Sequence, residues 1–268
     1  MIDLGKHNVL GVQIDGVDYA AVIERIAHAA MNRQPLAVSA VAVHGLMTGV
    51  LDRCHRFRLN RFDLLVPDGQ PVRWALNWLH RTGLSDRVYG PTLMLKACQW
   101  AADQGVPIYL FGGTNELLDA LTRRLRERFA TLQIAGVRPS LFRRLTAGER
   151  DELVAAIRGS GAGLTFVGLG CPRQEVWTYE FRDALSMPLI AVGAAFNFHA
   201  GQLSQAPAFM QRRGLEWLFR LACEPRRLWK RYVLLNPLFL AFLAMQWTGL
   251  REFDLDNVIP PTELMLYG

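Results

Sequence analysis

The chain has 268 residues, of which 51% are hydrophobic, and this composition excludes a long disordered protein. It is long enough to bury the core of one large α/β domain with an additional element. Thirty Lys and Arg residues oppose 24 Asp and Glu residues, which leaves a formal net charge of +6. Most of this surplus lies between Arg212 and Arg231, so the pattern predicts a local anionic partner rather than a basic protein throughout.

The cysteines and the first residues of the chain predict its compartment. The cysteines are far apart and have neither a CxxC spacing nor a Cys/His zinc-ligand spacing, so we expect no zinc site and a reducing environment. Residues 1–6 show no basic segment followed by an apolar run, so we expect no secretory signal and a cytoplasmic protein.

Apolar runs of strand length alternate with helical patterns from Pro35 to Gly193, which predicts βα units and a Rossmann-like, mainly parallel sheet flanked by helices. The predicted strands are residues 36–43, 62–66, 107–111, 132–137, 164–167 and 189–192. The predicted helices are residues 71–80, 91–104, 116–129, 148–158 and 173–185. Such a sheet binds its ligands beyond the carboxyl ends of the strands.

Glycine and polar residues concentrate where five of these predicted strands end. Because the carboxyl ends of parallel strands meet at one edge of a sheet, we expect the five turns to form a single rim. Asn197 belongs to this set as a candidate binding residue. The turns are residues 43–45, 67–70, 112–115, 168–172 and 193–199.

Asp68 follows a predicted strand and precedes Gly69, so its carboxylate is predicted to face the cleft at the strand end. A carboxylate at such a position can act as a general base that takes the proton of a bound hydroxyl. Asp68 has the residue type and the position for this role. A Pro-Asp-Gly turn in which Asp68 only caps the next helix fits the same residues, and both interpretations stay open.

Two glycine turns are candidate phosphate or sugar sites. Gly112, Gly113 and Thr114 precede a predicted helix, whose first N–H groups can bind a phosphate. The turn lacks the Walker ending and the GxGxxG fingerprint, and a tight turn with Thr114 or Asn115 as N-cap explains it equally well. The segment with Gly170 and Gln174 has the same arrangement, and Gln174 can bind amide or hydroxyl groups. Two such turns on one sheet favour a nucleotide or sugar site.

Two further residues are weaker candidates. His44 lies at a predicted strand end and could orient a sugar hydroxyl or a phosphate, although a packing histidine fits as well. Arg87 follows the helix after Asp68 and could neutralise a diphosphate, although a solvated loop arginine fits as well. The acidic DxD pair of metal-dependent transferases occurs only at residues 254–256, in the terminal tail. We therefore expect no essential metal and no cofactor.

The strand and helix alternation stops after Pro207, so we divide the chain into an α/β catalytic domain, 1–207, and a C-terminal helical appendage, 208–268. In the appendage Pro225 separates two predicted helices. Arg213, Arg220 and Arg227 recur at intervals of seven among aromatic residues, which is typical of a membrane-surface element. Nucleic-acid binding and a helix docked on the sheet are the alternatives. The apolar run 234–250 is shorter than the roughly 20 residues that span a bilayer.

Several separate motifs occur along the chain in a fixed order. They are Pro-Asp-Gly at 67–69, Arg-Val-Tyr-Gly at 87–90, Gly-Leu-Gly-Cys-Pro-Arg-Gln-Glu at 168–175, Gly-Ala-Ala-Phe-Asn-Phe-His-Ala-Gly at 193–201, Ala-Pro at 206–207, Gly-Leu-Glu-Trp-Leu-Phe-Arg at 214–220 and Glu-Pro-Arg-Arg at 224–227. In order and spacing these motifs, which cover roughly residues 10–240, resemble the WecG/TagA/CpsF family of glycosyltransferases, glycosyltransferase family 26.

The resemblance implies an inverting transferase with UDP-sugar donors such as N-acetylmannosamine, its uronic acid or glucose. The implied acceptors are polyprenyl-diphosphate-linked saccharides of teichoic acid linkage units, enterobacterial common antigen or exopolysaccharides. By matching motif, Asp68 takes the position of the base, and Arg87, Gln174 and the C-terminal arginines take positions in the pocket. Asn197 stands where an Asp is common, so we expect a donor specificity different from that of the N-acetylmannosamine enzymes.

The sequence-based hypothesis is therefore a metal-independent, UDP-sugar-dependent glycosyltransferase of bacterial cell-surface polysaccharide synthesis. We expect it to attach peripherally to the anionic inner face of the cell membrane and to bind no nucleic acid, and a homo-oligomer stays open. A non-catalytic nucleotide-sugar-binding scaffold subunit is the alternative. A Rossmann oxidoreductase is a third interpretation, against which the missing GxGxxG fingerprint counts.

Overall fold

The computed structural model describes residues 1–268 except the side chains of Arg227, Lys230 and Arg231. The strands are β1 (Asp3–Val9), β2 (Val12–Val17), β3 (Leu36–Val41), β4 (Leu64–Pro67), β5 (Ile108–Phe111), β6 (Ile134–Arg138), β7 (Leu164–Val167) and β8 (Pro188–Ala191). The helices are α1 (Tyr19–Met31), α2 (Val43–Leu51), α3 (Arg53–Leu59), α4 (Gln70–His80), α5 (Gly90–Gln104), α6 (Asn115–Arg128), α7 (Ala147–Gly159), α8 (Arg173–Leu185), α9 (Ala195–His199), α10 (Ala208–Arg212), α11 (Glu216–Cys223) and α12 (Pro225–Trp247).

A six-stranded parallel sheet forms the centre of the fold, with the strand order β4-β3-β8-β7-β5-β6. Strands β4, β5, β7 and β8 are buried along their whole length, because helices cover both faces of the sheet. The six strands predicted from the apolar runs are all present, and so are the five predicted helices. The α/β fold class is confirmed.

The start of the chain forms an antiparallel hairpin that the sequence patterns did not predict. Its turn is Leu10-Gly11, with φ of 56° and 82°, which is the geometry of a tight two-residue hairpin turn. Leu at the first turn position is not the Asn-Gly or Asp-Gly signature by which such hairpins are recognised. The chain therefore carries no local signal for β1 and β2.

The first strand of the sheet ends earlier than predicted. The prediction was residues 36–43, but β3 ends at Val41 and α2 begins at Val43, after Ala42 in an extended conformation. Gly45 lets this helix pack closely, because a Cβ there would lie 3.3 Å from the Val41 side chain. His44 therefore lies in the first turn of a helix rather than in a strand-end turn.

Several helices begin at the carboxyl edge of the sheet, and capping residues or prolines stabilise their first turns. Thr114 caps α6 by accepting a hydrogen bond from the Leu117 N–H. Pro71 and Pro91 lie in the first turns of α4 and α5, where a missing N–H costs nothing. Each of these helices follows a turn or loop at the strand ends, so the three starts lie on the side where ligands bind in such sheets.

The C-terminal helices pack onto the α/β unit. Helix α11 ends at Cys223 and α12 begins at Pro225, as the proline predicted. Phe239 and Leu243 of α12 are buried in one apolar core with residues of β3 and β4, and α12 contacts α2 and α4. The division at 207/208 stays a prediction. Within the described part of the chain, no helix is long and apolar enough to cross a membrane.

Candidate functional site

A cavity of about 730 Å³ opens at the carboxyl ends of the parallel strands. This volume lies in the range of small-molecule sites, roughly 300–1,000 Å³. Four of the predicted turns and the start of α2 contribute to it, and α11 covers part of it. The predicted site residues that line it are His44, Asp68, Gly69, Arg87, Gly113, Thr114, Gly170, Gln174, Asn197 and Arg220.

Two of the predicted site residues, Gly112 and Arg213, are not among the lining residues, and the side chain of a third is not described. Gly112, with φ of 115°, packs against a neighbouring strand end, since a Cβ on it would lie 2.7 Å from the Gly168 backbone. Arg213 is exposed at the end of α10. Arg227 lies in α12, and its side chain is outside the described residues. Gly112 therefore has a packing role in this structure.

Asp68 follows β4 directly, and its backbone N–H continues the strand pairing by donating to the Val41 carbonyl at 3.1 Å. Its Oδ1 accepts a hydrogen bond of 2.6 Å from the Gly90 N–H, in the first turn of α5. The helix that follows Asp68, α4, has Gly69 as its N-cap and no side-chain cap. Asp68 is therefore not the cap of α4. Its carboxylate makes no other hydrogen bond to the described residues.

The environment of Asp68 suits proton transfer. Burial raises the pKa of this carboxyl from its ordinary 3.8 to about 6, and the negative charge of Glu216 raises it further, while Arg87 opposes the shift. The efficiency of a general base is greatest when its pKa is near the working pH. A carboxyl at a cavity wall with this pKa can accept a proton from a bound hydroxyl.

Arg87 is engaged by an acidic residue of α11. Its Nη2 donates to Oε2 of Glu216 at 2.6 Å, and its guanidinium lies 4.2 Å from the ring centre of Tyr89. The Tyr89 hydroxyl donates to the other oxygen of Glu216 at 2.8 Å. Arg87 and Glu216 are both largely buried, with side chains 8% and 13% exposed. The structure brings Arg87 to the cavity, but its charge is already paired.

Arg220 is the second arginine of the cavity and lies one helical turn after Glu216 in α11. Its guanidinium lies 5.8 Å from the ring centre of Phe198, and it forms no ion pair with the described residues. Its positive charge lowers the pKa of Asp68, which places it electrostatically close to the carboxyl. Arg220 is thus available to an anionic ligand.

Gln174 and Glu175 form a buried polar pair at the start of α8. Gln174 Nε2 donates to Glu175 Oε1 at 2.8 Å, and the Ser39 hydroxyl donates to the same oxygen at 3.1 Å. Burial raises the pKa of Glu175. The remaining oxygens, Gln174 Oε1 and Glu175 Oε2, have no hydrogen-bond partner among the described residues. Both residues line the cavity, and the Cys171 side chain also interacts with the Glu175 carboxyl.

The other polar candidates have simpler surroundings. Asn197 in α9 donates from Nδ2 to Gln202 Oε1 at 3.3 Å, so it is anchored at the cavity wall. The His199 ring lies 2.9 Å from the Pro91 carbonyl oxygen and hydrogen bonds to it, so this histidine has a packing role between α9 and α5. Asp254 accepts a hydrogen bond from the Asp256 backbone in the exposed tail.

Sequence reasoning missed Tyr89, Glu175 and Glu216 as site residues. Each occurs within a motif that the sequence analysis singled out, but the hydrogen bond between Tyr89 and Glu216 joins residues 127 positions apart. No local pattern reports such a contact. A search for acidic residues beside the site arginines would have found Glu216 as a candidate.

The model of the glycosyl transferase WecG/TagA/CpsF family matches residues 7–252. The match includes the six-stranded sheet, Asp68, both arginines of the cavity, and helices α11 and α12. Enzymes of this family are glycosyltransferases of cell-surface polysaccharide synthesis. The resemblance that the motifs indicated is confirmed over nearly the whole chain, and the chain belongs to the WecG/TagA/CpsF family of glycosyltransferases.

Proposed function

We propose that the protein transfers a hexose or N-acetylhexosamine from a UDP-sugar to a polyprenyl-diphosphate-linked saccharide, with inversion at the anomeric carbon. The observation that carries the proposal is Asp68, a carboxyl with a pKa raised to about 6, in the same cavity as Arg220, a cation with no ion pair among the described residues. One group can accept a proton and the other can bind a diphosphate, and an inverting transfer needs both.

The proposed reaction is a single displacement. Asp68 takes the proton of the acceptor hydroxyl as that oxygen forms a bond to the anomeric carbon. The bond between the anomeric carbon and the diphosphate oxygen breaks, and UDP leaves with the electron pair. Arg220 and the helix N-termini at the strand ends stabilise the charge of the departing diphosphate. Gln174 and Asn197 are proposed to bind donor groups, and no metal is part of the proposal.

The experiment that tests this function is acceptor-dependent release of UDP. The purified protein is incubated with a panel of UDP-sugars, with and without a short-chain polyprenyl-diphosphate saccharide, and free UDP is measured. We expect one donor to release UDP only when acceptor is present. Donor binding without turnover across the panel would instead support the non-catalytic scaffold subunit.

Arg220→Ala is expected to weaken UDP binding by about 10- to 100-fold, because a charge-assisted hydrogen bond contributes roughly 1.5–3 kcal/mol. Arg213→Ala is the matched control, since Arg213 is an exposed arginine outside the cavity. Calorimetric titration with UDP measures both variants. Equal losses in the two variants would contradict the assignment of Arg220 to the diphosphate.

An exposed apolar stripe on α12 supports a membrane-bound acceptor. Its members recur at intervals of four, seven and seven residues and therefore share one helix face. Apolar side chains exposed beside a basic segment are typical of helices that lie in the membrane interface. We propose that this face rests on the anionic inner leaflet. The stripe consists of Trp229, Val233, Leu240 and Trp247, which are 48%, 57%, 56% and 70% exposed.

The double variant Leu240→Ser/Trp247→Ser is expected to reduce co-sedimentation with anionic phospholipid vesicles about tenfold or more, because two exposed apolar groups lose burial in the interface. UDP binding should not change, since neither residue lines the cavity. Met31→Ser, which alters an apolar residue 63% exposed at the end of α1, is the control. Unchanged co-sedimentation of the double variant would rule out this face.

A further inference from the structure

Glu216 bridges two residues of a distant loop. Its carboxylate accepts one hydrogen bond from Arg87 and one from the Tyr89 hydroxyl, at 2.6 and 2.8 Å. Arg87 also stacks over Tyr89, so each of the three side chains contacts the other two. Since Glu216 is the first residue of α11, this cluster joins the C-terminal helices to the loop before α5.

The cluster lies beside the carboxyl of Asp68. Arg87 lowers the pKa of Asp68 and Glu216 raises it, so both charges lie within electrostatic range. An arginine whose charge is unpaired in a buried site forms an ion pair with the nearest carboxylate. Without Glu216, Asp68 remains in electrostatic range of the Arg87 guanidinium. The neighbouring carboxylate, Asp86, already accepts hydrogen bonds from the Arg87 backbone N–H and from Gln70. An Asp68–Arg87 ion pair would lower the basicity of Asp68.

We propose that Glu216 is a positioning residue that holds Arg87 on Tyr89 and thereby keeps Asp68 free to act as a base. The catalytic role of Asp68 in this inference rests on the proposed function. The contacts of Glu216 with Arg87 and Tyr89 do not depend on it. Docking of α11 then has two consequences at the site, because the same helix supplies Glu216 to Arg87 and Arg220 to the cavity. Arg87, in the loop, affects the base Asp68, and Arg220, in the helix, is proposed to bind the ligand.

The charged and titratable groups around Asp68 come from three parts of the chain. The Tyr19 hydroxyl of α1 accepts a hydrogen bond of 2.8 Å from the Tyr89 backbone N–H. The phenol groups ionise only far above neutral pH, because burial raises the pKa of each. Near neutral pH, the charges of the described residues that act most strongly on Asp68 are therefore the two arginines and Glu216. The groups are Tyr19, Arg87, Tyr89, Glu216 and Arg220.

The test is a double-mutant cycle in which Asp68→Asn and Glu216→Gln are made singly and together in the full chain. Thermal unfolding is measured from pH 4 to pH 8. For each protein that retains Asp68, its stability is compared with the stability of its Asp68→Asn counterpart. The difference in stability between the two reports the ionisation of Asp68. With Glu216 present, we expect this difference to change around pH 6. In the Glu216→Gln background, we expect the change to move about one pH unit lower.

Kinetics give a second measurement on the active protein. In Glu216→Gln the acidic limb of the kcat/KM profile should move to lower pH. The kcat at neutral pH should fall by up to about tenfold, because a base whose pKa is one unit lower accepts a proton less readily, and the effect on the KM for the donor should be smaller. Glu216→Asp retains the negative charge and should restore part of the wild-type profile. Tyr89→Phe retains the carboxylate and should shift the profile little.

Glu152→Gln, at an exposed position in α7, is the matched control and should behave as wild type. The inference would be overturned if the stability difference caused by Asp68→Asn had the same pH dependence in the wild-type and Glu216→Gln backgrounds, whatever the activity of the variants. Failure of the wild-type protein to release UDP would overturn the proposed function instead, because the unfolding cycle requires no substrate. If Glu216→Gln does not fold, Arg87→Gln takes its place in the same unfolding cycle. Loss of the charge that lowers the pKa of Asp68 should then move the change to higher pH, and an unshifted change would overturn the inference.

Discussion

Asp68→Asn is expected to lower acceptor-dependent UDP release by about 10²- to 10⁴-fold, the range that a general base contributes. The amide has nearly the shape of the carboxyl but cannot accept the proton of the acceptor hydroxyl. UDP binding should change little, because the side chain is proposed to act on the acceptor. Turnover and calorimetric UDP binding are measured in parallel, with Asp119→Asn on the exposed face of α6 as control. Turnover near the wild-type rate would exclude Asp68 as the base.

The same substitution should stabilise the protein above pH 6. The pKa of Asp68 is higher in the folded state, about 6, than its ordinary 3.8, so the folded protein binds this proton more tightly than the unfolded chain. Stability is therefore lost as the pH rises from about 4 through about 6. Asn carries no such cost, so we expect Asp68→Asn to gain about 2–3 kcal/mol at pH 8 and little at pH 4.

Urea unfolding at pH 4 and pH 8 measures this difference directly. Gain of stability with loss of turnover would identify Asp68 as a residue retained for function at the expense of stability. An equal effect at both pH values would contradict the raised pKa. Asp119→Asn serves again as the control, because its carboxyl is exposed.

Gly112→Ala is expected to destabilise the protein by about 3 kcal/mol or more. A Cβ at this position would lie 2.7 Å from the Gly168 backbone, which belongs to the neighbouring strand end and cannot move as a flexible side chain does. The φ of 115° adds strain for any residue with a Cβ. Because both strand ends border the cavity, we also expect weaker UDP binding.

Gly148→Ala is the matched control, since a Cβ there meets nothing within 4 Å and the residue lies in the first turn of α7. Alanine should be neutral or slightly stabilising at this helical position. Urea unfolding of the two variants at one pH gives the comparison. If Gly112→Ala were as stable as the control, the close approach of β5 and β7 would not require glycine.

The alternation of apolar runs and helical patterns sufficed to predict the sheet, because buried parallel strands are apolar along their whole length and leave a strong local signal. The same reasoning placed the candidate residues at one edge, since parallel strands must end on the same side. Asp68 and Gln174 could be chosen from residue type and position alone. The hairpin β1–β2 could not be predicted from the sequence, because its Leu-Gly turn is not a recognised hairpin-turn sequence.

The sequence by itself determined the parallel α/β core, the edge at which a ligand binds and the break between α11 and α12 at Pro225. Only the tertiary structure decided which charges meet there. It paired Arg87 with Glu216, left Arg220 without an ion pair among the described residues, and gave Gly112 a packing role rather than a place on the cavity wall. The physical reason is range: periodicity and turns depend on neighbours within a few positions, whereas ion pairing depends on contacts that only the assembled fold creates.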